Sequence, residues 1–161
     1  SLYSIVLQLR SDEMRALIGR PYGPFRLEVS HAVCRAFARA VGHTDPIYFD
    51  PGAARAAGYR DIAAAPGYLG TWPWSPTNPE NRSFAPEVPT PGFARGLNGG
   101  TEIEYHADIC GGDVLFATGK ISDIQERQGS MGTMLVITRE VEFRDGDGNL
   151  AAVLRGTSIK Y

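Results

Sequence analysis

The spacing of apolar residues changes period along the chain, and the changes mark its elements. Apolar and polar residues alternate over Phe25-Arg26-Leu27-Glu28-Val29, the period of a strand with one buried face, and Ser30 then offers a helix N-cap. From His31 to Val41 the apolar residues Val33, Cys34, Phe37, Ala38 and Val41 recur at three- and four-residue steps, which predicts a helix that Gly42 ends. Alanines at 32, 36, 38 and 40 widen its apolar face, so the helix is expected to be enclosed on most sides. Shorter helices are predicted over 12–18, capped by Ser11 and closed by Gly19, and over 52–57, where Asp50 caps, Pro51 starts and Gly58 terminates. From about residue 100 onward strand-like runs cover 100–106, 114–125, 133–143 and 150–161. Turn signals at Cys110-Gly111-Gly112-Asp113, Gln128-Gly129-Ser130-Met131-Gly132 and Asp145-Gly146-Asp147-Gly148-Asn149 separate them.

Four consecutive strands joined by short turns predict an antiparallel meander. With the strand at 25–29 added, the sheet has about five strands and a mostly buried helix that it can wrap around. This is a two-layer α+β arrangement, the hot-dog fold. Small apolar residues over 62–69 predict a buried crossing, and the proline-rich stretch at about 75–97 predicts a long irregular loop of the kind that serves as a lid or an interface arm.

Composition narrows the function classes. At 161 residues the chain fits one domain over 1–161, long enough to bury a core. Charged residues make up 21%, apolar ones 43%, and the net charge is -2, so nothing marks a nucleic-acid or anionic-membrane partner. No apolar run is long enough to span a bilayer and no secretory leader pattern opens the sequence, so a cytoplasmic protein is expected. Cys34 and Cys110 lack metal-ligand or disulfide spacing and are expected to be buried or incidental thiols. Three histidines without ligand spacing predict no metal site, and no cofactor is expected.

Candidate chemistry gathers at His43-Thr44-Asp45-Pro46-Ile47-Tyr48-Phe49-Asp50, between two helical signals. Pro46 stops helix continuation and drives Asp45 out of the αR region, so the segment should be an extended turn projecting His43, Asp45 and Tyr48. The same residues also fit a plain helix exit, with Asp45 hydrogen-bonding local backbone, His43 at a helix C-terminus and Tyr48 a packed ring. His31, following the cap, reads as solvated, and His106 has no assigned role.

Gly42 to Asp50, followed by Ala53-Ala54-Arg55-Ala56-Ala57-Gly58-Tyr59, Ala64-Ala65-Pro66-Gly67, Tyr105-His106 and Gly111-Gly112-Asp113-Val114-Leu115, resembles the MaoC-like, (R)-specific hydratase branch of the hot-dog proteins. Residues 128–136 resemble the FAS1-like dehydratase N-terminal type. The resemblance runs from about Gly19 to Tyr161 and implies reversible hydration of a trans-2-enoyl thioester, on coenzyme A or acyl-carrier protein, to the (R)-3-hydroxyacyl thioester. That reaction needs a base for the α-proton, an acid for the departing hydroxyl and a backbone N–H on the thioester carbonyl.

The family motif is Asp-x-Asn-Pro-(Ile/Leu)-His. Aligned on Pro46, His43 stands for its Asp, Asp45 for its Asn and Tyr48 for its His, so the usual dyad is missing. A phenol with an ordinary pKa of about 10 is a poor base at neutral pH. The resemblance therefore implies a substrate-channel subunit, a homodimer or a heterodimer with a second hot-dog subunit carrying the Asp/His motif. The alternatives are a self-sufficient hydratase using His43 with Asp45, and a non-enzymatic module that binds acyl thioesters or other hydrophobic ligands. Pro66, Gly67, Tyr68, Trp72, Asn98 and Gly99 are the expected substrate-binding residues, with Pro66-Gly67 at the position of the backbone donor and Asn98-Gly99 just ahead of a strand.

Overall fold

The computed structural model describes residues 12–71, 85–130 and 132–161; Ser11, Trp72, Trp74 and residues 75–84 of the proline-rich stretch lie outside the described residues. A helix, α1, covers 12–17. It is followed by strand β1 (Tyr22–Glu28), helix α2 (His31–Ala40), a 3-10 turn (Pro46–Tyr48), helix α3 (Pro51–Ala56), a second 3-10 turn (Tyr68–Gly70), and strands β2 (Gly96–Tyr105), β3 (Val114–Gly129), β4 (Gly132–Arg144) and β5 (Leu150–Lys160). The helix starts follow the sequence signals. Ser30 Oγ accepts from Val33 N at 3.4 Å to open α2, and Asp50 Oδ2 accepts from Ala53 N at 2.8 Å to open α3 with Pro51 in its first turn.

The five strands form one antiparallel sheet in the order β1-β3-β4-β5-β2, the expected hot-dog arrangement. Only β3, β4 and β5 form a meander, however. The β3–β4 and β4–β5 hairpins pair Gly129 with Gly132 and Arg144 with Leu150. β2 does not join β3 in this way; it crosses to the far edge and pairs with β5 from Gly96↔Lys160 to Tyr105↔Ala152. The cause lies in the connection at 106–113, whose backbone groups bond away from β2. Ala64 N donates to Ile109 O at 2.8 Å, Gly111 N to Ile62 O at 2.9 Å and Gly112 N to Val29 O at 2.7 Å. These bonds tie the connection to the 62–65 crossing and to the end of β1, so it travels across the sheet.

α2 also departs from expectation. Cys34 and Ala38 are fully buried on its inner face, but Val33 is 42% exposed and Val41, at its end, 52%. Alanines 32, 36 and 40 are likewise exposed, so the helix is enclosed on one side only. Alanine is tolerated in water as well as in a core, and a run of it does not define a buried face. Beneath the inner face lies a core containing Leu27, Val29, Ile62, Tyr68, Leu115 and Phe143. A second cluster, Val88, Ile121 and Ile137 with Met14 and Leu17 packed on it, covers another part of the sheet.

Candidate functional site

The turn after α2 is shaped by local hydrogen bonds. Gly42 adopts φ +86°, and the His43 N–H reaches back to Ala38 O at 2.9 Å, the C-terminal pattern that only a left-handed residue permits without strain. Asp45 is extended and its Oδ1 accepts from Ile47 N at 3.1 Å, capping the 3-10 turn that Pro46 begins. Arg35 Nε donates to Phe49 O at 3.0 Å, and Ala63 N donates to Ile47 O at 2.9 Å. The turn is thus tied to α2 on one side and to the buried crossing on the other.

Within it, the imidazole of His43 lies on the ring of Tyr48, centroids 4.8 Å apart and planes tilted by 40°. No hydrogen bond or ion pair joins His43 to Asp45 among the described residues. The Tyr48 phenol holds its proton more tightly than usual, chiefly because of burial, with the negative charge of Asp45 and then Tyr59 adding to the effect. The turn therefore brings His43 and Tyr48 together and keeps Asp45 on its own backbone.

The other expected site residues are spread along the fold. Pro66 is exposed, and Gly67, at φ +92°, donates its N–H to the Tyr105 hydroxyl at 3.3 Å. Tyr68 lies in the core at 1% exposure, edge-on to Phe37 with centroids 6.0 Å apart, rather than on a wall open to a ligand. Burial pushes its phenol up to about 12, and its hydroxyl makes no well-formed hydrogen bond; the Ser30 backbone is a polar neighbour. Asn98 and Gly99 do not precede a strand. They lie within β2 at a bulge between Asn98 and Gly100, where Asn98 Oδ1 accepts from Gly100 N at 2.9 Å. Trp72 lies outside the described residues. Cys34 and Cys110 are both buried and free, and burial first, then Cys110 and Asp113, pushes the Cys34 thiol up to about 11.

A cavity of about 700 Å³ opens on the core-side face of the sheet, bounded by residues 69–71 and by parts of 85–90. Phe25, Leu69, Val141 and Leu154 supply apolar walls, and Asn98 is the one expected site residue among those described that lines it. Arg139 lines it too, and no sequence argument singled it out. Its signal was nevertheless present, because along β4 the residues Leu135, Ile137, Arg139, Val141 and Phe143 occupy alternate positions and Arg139 alone among them is charged.

The fold also assembles an Asp–His pair away from the turn. His31 Nε2 lies 3.1 Å from Asp61 Oδ2, so His31 is paired rather than simply solvated. The His31 hydrogen bond, and then the Ile62 N–H, hold the Asp61 carboxyl below the usual carboxylate range. The ring sits over Gly111 and Gly112, where an added Cβ at Gly111 would come within 2.7 Å of His31 Cδ2. His31, but not Asp61, lines a separate recess of about 370 Å³ beside the start of α2.

Comparison with known proteins agrees with this architecture. The family described as FAS1-like, dehydratase domain region, matches residues 16–153. A UPF0336 protein of Saccharopolyspora erythraea is 30% identical over 151 residues, covering 89% of this chain and 92% of that protein. A probable enoyl-CoA hydratase alpha subunit of Thermomonospora curvata is 26% identical over 161 residues, covering 92% of this chain but 50% of that protein. Among solved structures, a chain of the ChsH1-ChsH2 complex from Mycobacterium tuberculosis has the same fold, with a TM-score of 0.76 at 20% identity, covering 96% of this chain and 92% of that one.

Proposed function

The chain belongs to the FAS1-like dehydratase domain family, and from that membership we propose that it is a component of an acyl-thioester hydratase/dehydratase that relies on a second hot-dog subunit for its acid and base. The reaction is the reversible addition of water to a trans-2-enoyl thioester. The observation that carries the reading is the turn at 45–48. Its one carboxylate caps its own backbone, and its phenol is harder to ionise than usual. Such a turn suits packing and positioning more than proton abstraction, which needs a group whose pKa lies near the working pH. Two likenesses support a partner of the same kind: one relative is named an enoyl-CoA hydratase alpha subunit, and the similar solved structure is a complex of two different proteins.

In this role the cavity on the sheet would receive the acyl chain, and the partner would present its carboxylate and imidazole to the α- and β-carbons of the thioester. The test is hydration of a short enoyl-CoA by the purified chain, alone and after mixing with a hot-dog subunit that carries Asp-x-Asn-Pro-x-His. The expected result is no turnover alone and turnover on mixing. Robust activity of the chain by itself would remove the partner requirement, and saturable acyl-CoA binding without turnover in every mixture would favour a binding module instead.

A further inference from the structure

Arg139 stands where the fold should hold an aliphatic residue. On β4 its neighbours on the same face are Ile137, 1% exposed, and Val141, packed against the core; Leu135 and Phe143, farther along, are 6% and 4% exposed. Across the sheet it pairs with Ile121 on β3, which is fully buried, and with Gly156 on β5. The arginine Nε is buried without a hydrogen-bond partner, and no ion pair neutralises the guanidinium among the described residues. Arg139 as a whole is partly exposed to the cavity, but its buried Nε has lost contact with water without gaining a partner, and a group of opposite charge in the cavity would offset that loss.

The surroundings leave room for such a group. Gly156 presents no side chain beside the arginine, and the nearest atom that an added Cβ would meet is Leu154 Cδ2 at 3.9 Å. Gly119 is covered by the Tyr22 ring, whose phenol is pushed up by burial, with the positive charge of Arg139 partly opposing that effect. Among the described residues, the other charged ones lining the cavity are Lys160, whose Nζ lies over Gly96, and Glu87, which is exposed. The charge that the described residues bring to the cavity is therefore positive on balance, while Phe25, Leu69, Val141 and Leu154 make its walls apolar.

We propose that this cavity binds a carboxylate carried on an aliphatic chain, with Arg139 as its ion-pairing partner. A guanidinium offers a planar fork of N–H donors that matches a carboxylate with two parallel hydrogen bonds. A phosphate, more strongly hydrated and more highly charged, suits an open rim better than a position between Ile137 and Val141. If the chain acts on acyl thioesters as proposed above, the ligand is a thioester whose acyl group ends in a second carboxylate; that identification rests on the functional reading, whereas the anion site rests on Arg139 and the cavity.

Isothermal titration of the full chain with two matched pairs of ligands separates the two ideas. The first pair is hexanoate and hexanamide; the second is adipoyl-CoA and hexanoyl-CoA. In the wild-type chain each carboxylate is expected to bind at least about tenfold tighter than its neutral counterpart, as a charge-assisted pair in a partly desolvated site should. Arg139→Leu, which completes the apolar stripe, and Arg139→Gln should abolish both preferences, with thermal melting confirming that each variant folds. No preference in either pair, a preference that survives both substitutions, or no binding at all would overturn the anion site. Preference for hexanoate that depends on Arg139, with neither thioester bound, would uphold the site and remove the thioester reading. Equal binding of both thioesters without any carboxylate preference would do the reverse. Free coenzyme A is the phosphate control: Arg139-dependent binding of it, with no carboxylate preference, would also overturn the proposal.

Discussion

The ring of Tyr48 rests on the imidazole of His43 with 4.8 Å between centroids, while Asp45, between them in sequence, turns its carboxylate onto the Ile47 N–H at 3.1 Å. A ring contact thus joins the two positions that align with the Asp and His of the hydratase motif, and the cap stands at the position of its Asn. Tyr48→Phe keeps the ring contact and removes only the hydroxyl. We expect stability to change by less than about 0.5 kcal/mol in urea melts, and the hydration rate of the proposed two-subunit assembly to stay within about twofold. A loss of about a hundredfold or more in kcat would make the phenol an acid catalyst instead. Asp45→Ala should lower stability by about 1 kcal/mol through loss of the cap, with Asp45→Asn retaining most of it.

Tyr68 is the opposite case, a polar group inside the core. Its hydroxyl has no well-formed partner at 1% exposure, yet its ring packs edge-on against Phe37. Tyr68→Phe should therefore leave stability unchanged or raise it by up to ~1 kcal/mol, since it removes a desolvated hydroxyl. Tyr68→Ala should cost about 3–5 kcal/mol through the cavity it opens. Denaturant midpoints for the two variants decide the matter; a clear destabilisation by Tyr68→Phe would reveal that the hydroxyl is bonded after all.

Asp145 gives the turn between β4 and β5 a pH dependence. The Asn149 backbone N–H first, with the Asn149 side chain and the N–H groups of Asp147 and Gly148 also contributing, holds its carboxyl below the usual carboxylate range. A folded-state pKa that is depressed stabilises the fold above the unfolded pKa, and that contribution is lost as pH falls through the folded value. Comparing Tm for the wild type and Asp145→Asn from neutral pH downward should show a constant difference at first. The difference should then shrink as the pH passes below the ordinary carboxylate range. A difference that stays level throughout would mean that Asp145 titrates alike in the folded and unfolded states.

Much of the local structure was legible in the sequence because its causes are local. Ser30 and Asp50 cap helices with side chains only three residues from the N–H groups they satisfy, Gly42 ends α2 because it can take φ +86°, and the alternation over Phe25–Val29 follows from one face of a strand meeting a core. Family membership was legible for the same reason, since the turn around Pro46 is a short motif. What only the tertiary structure decided depends on distant partners. β2 crosses to β5 because the 106–113 connection bonds to residues near 62 and to Val29, and the exposure of Val33 depends on what does not cover α2. Periodicity could place Arg139 on the inner face of β4, but whether an acidic side chain from elsewhere would neutralise it is a long-range question. The sequence by itself determined the elements and their caps; the fold determined which charge was left facing a cavity without a partner among the described residues, because pairing in a core depends on residues brought together from many places in the chain.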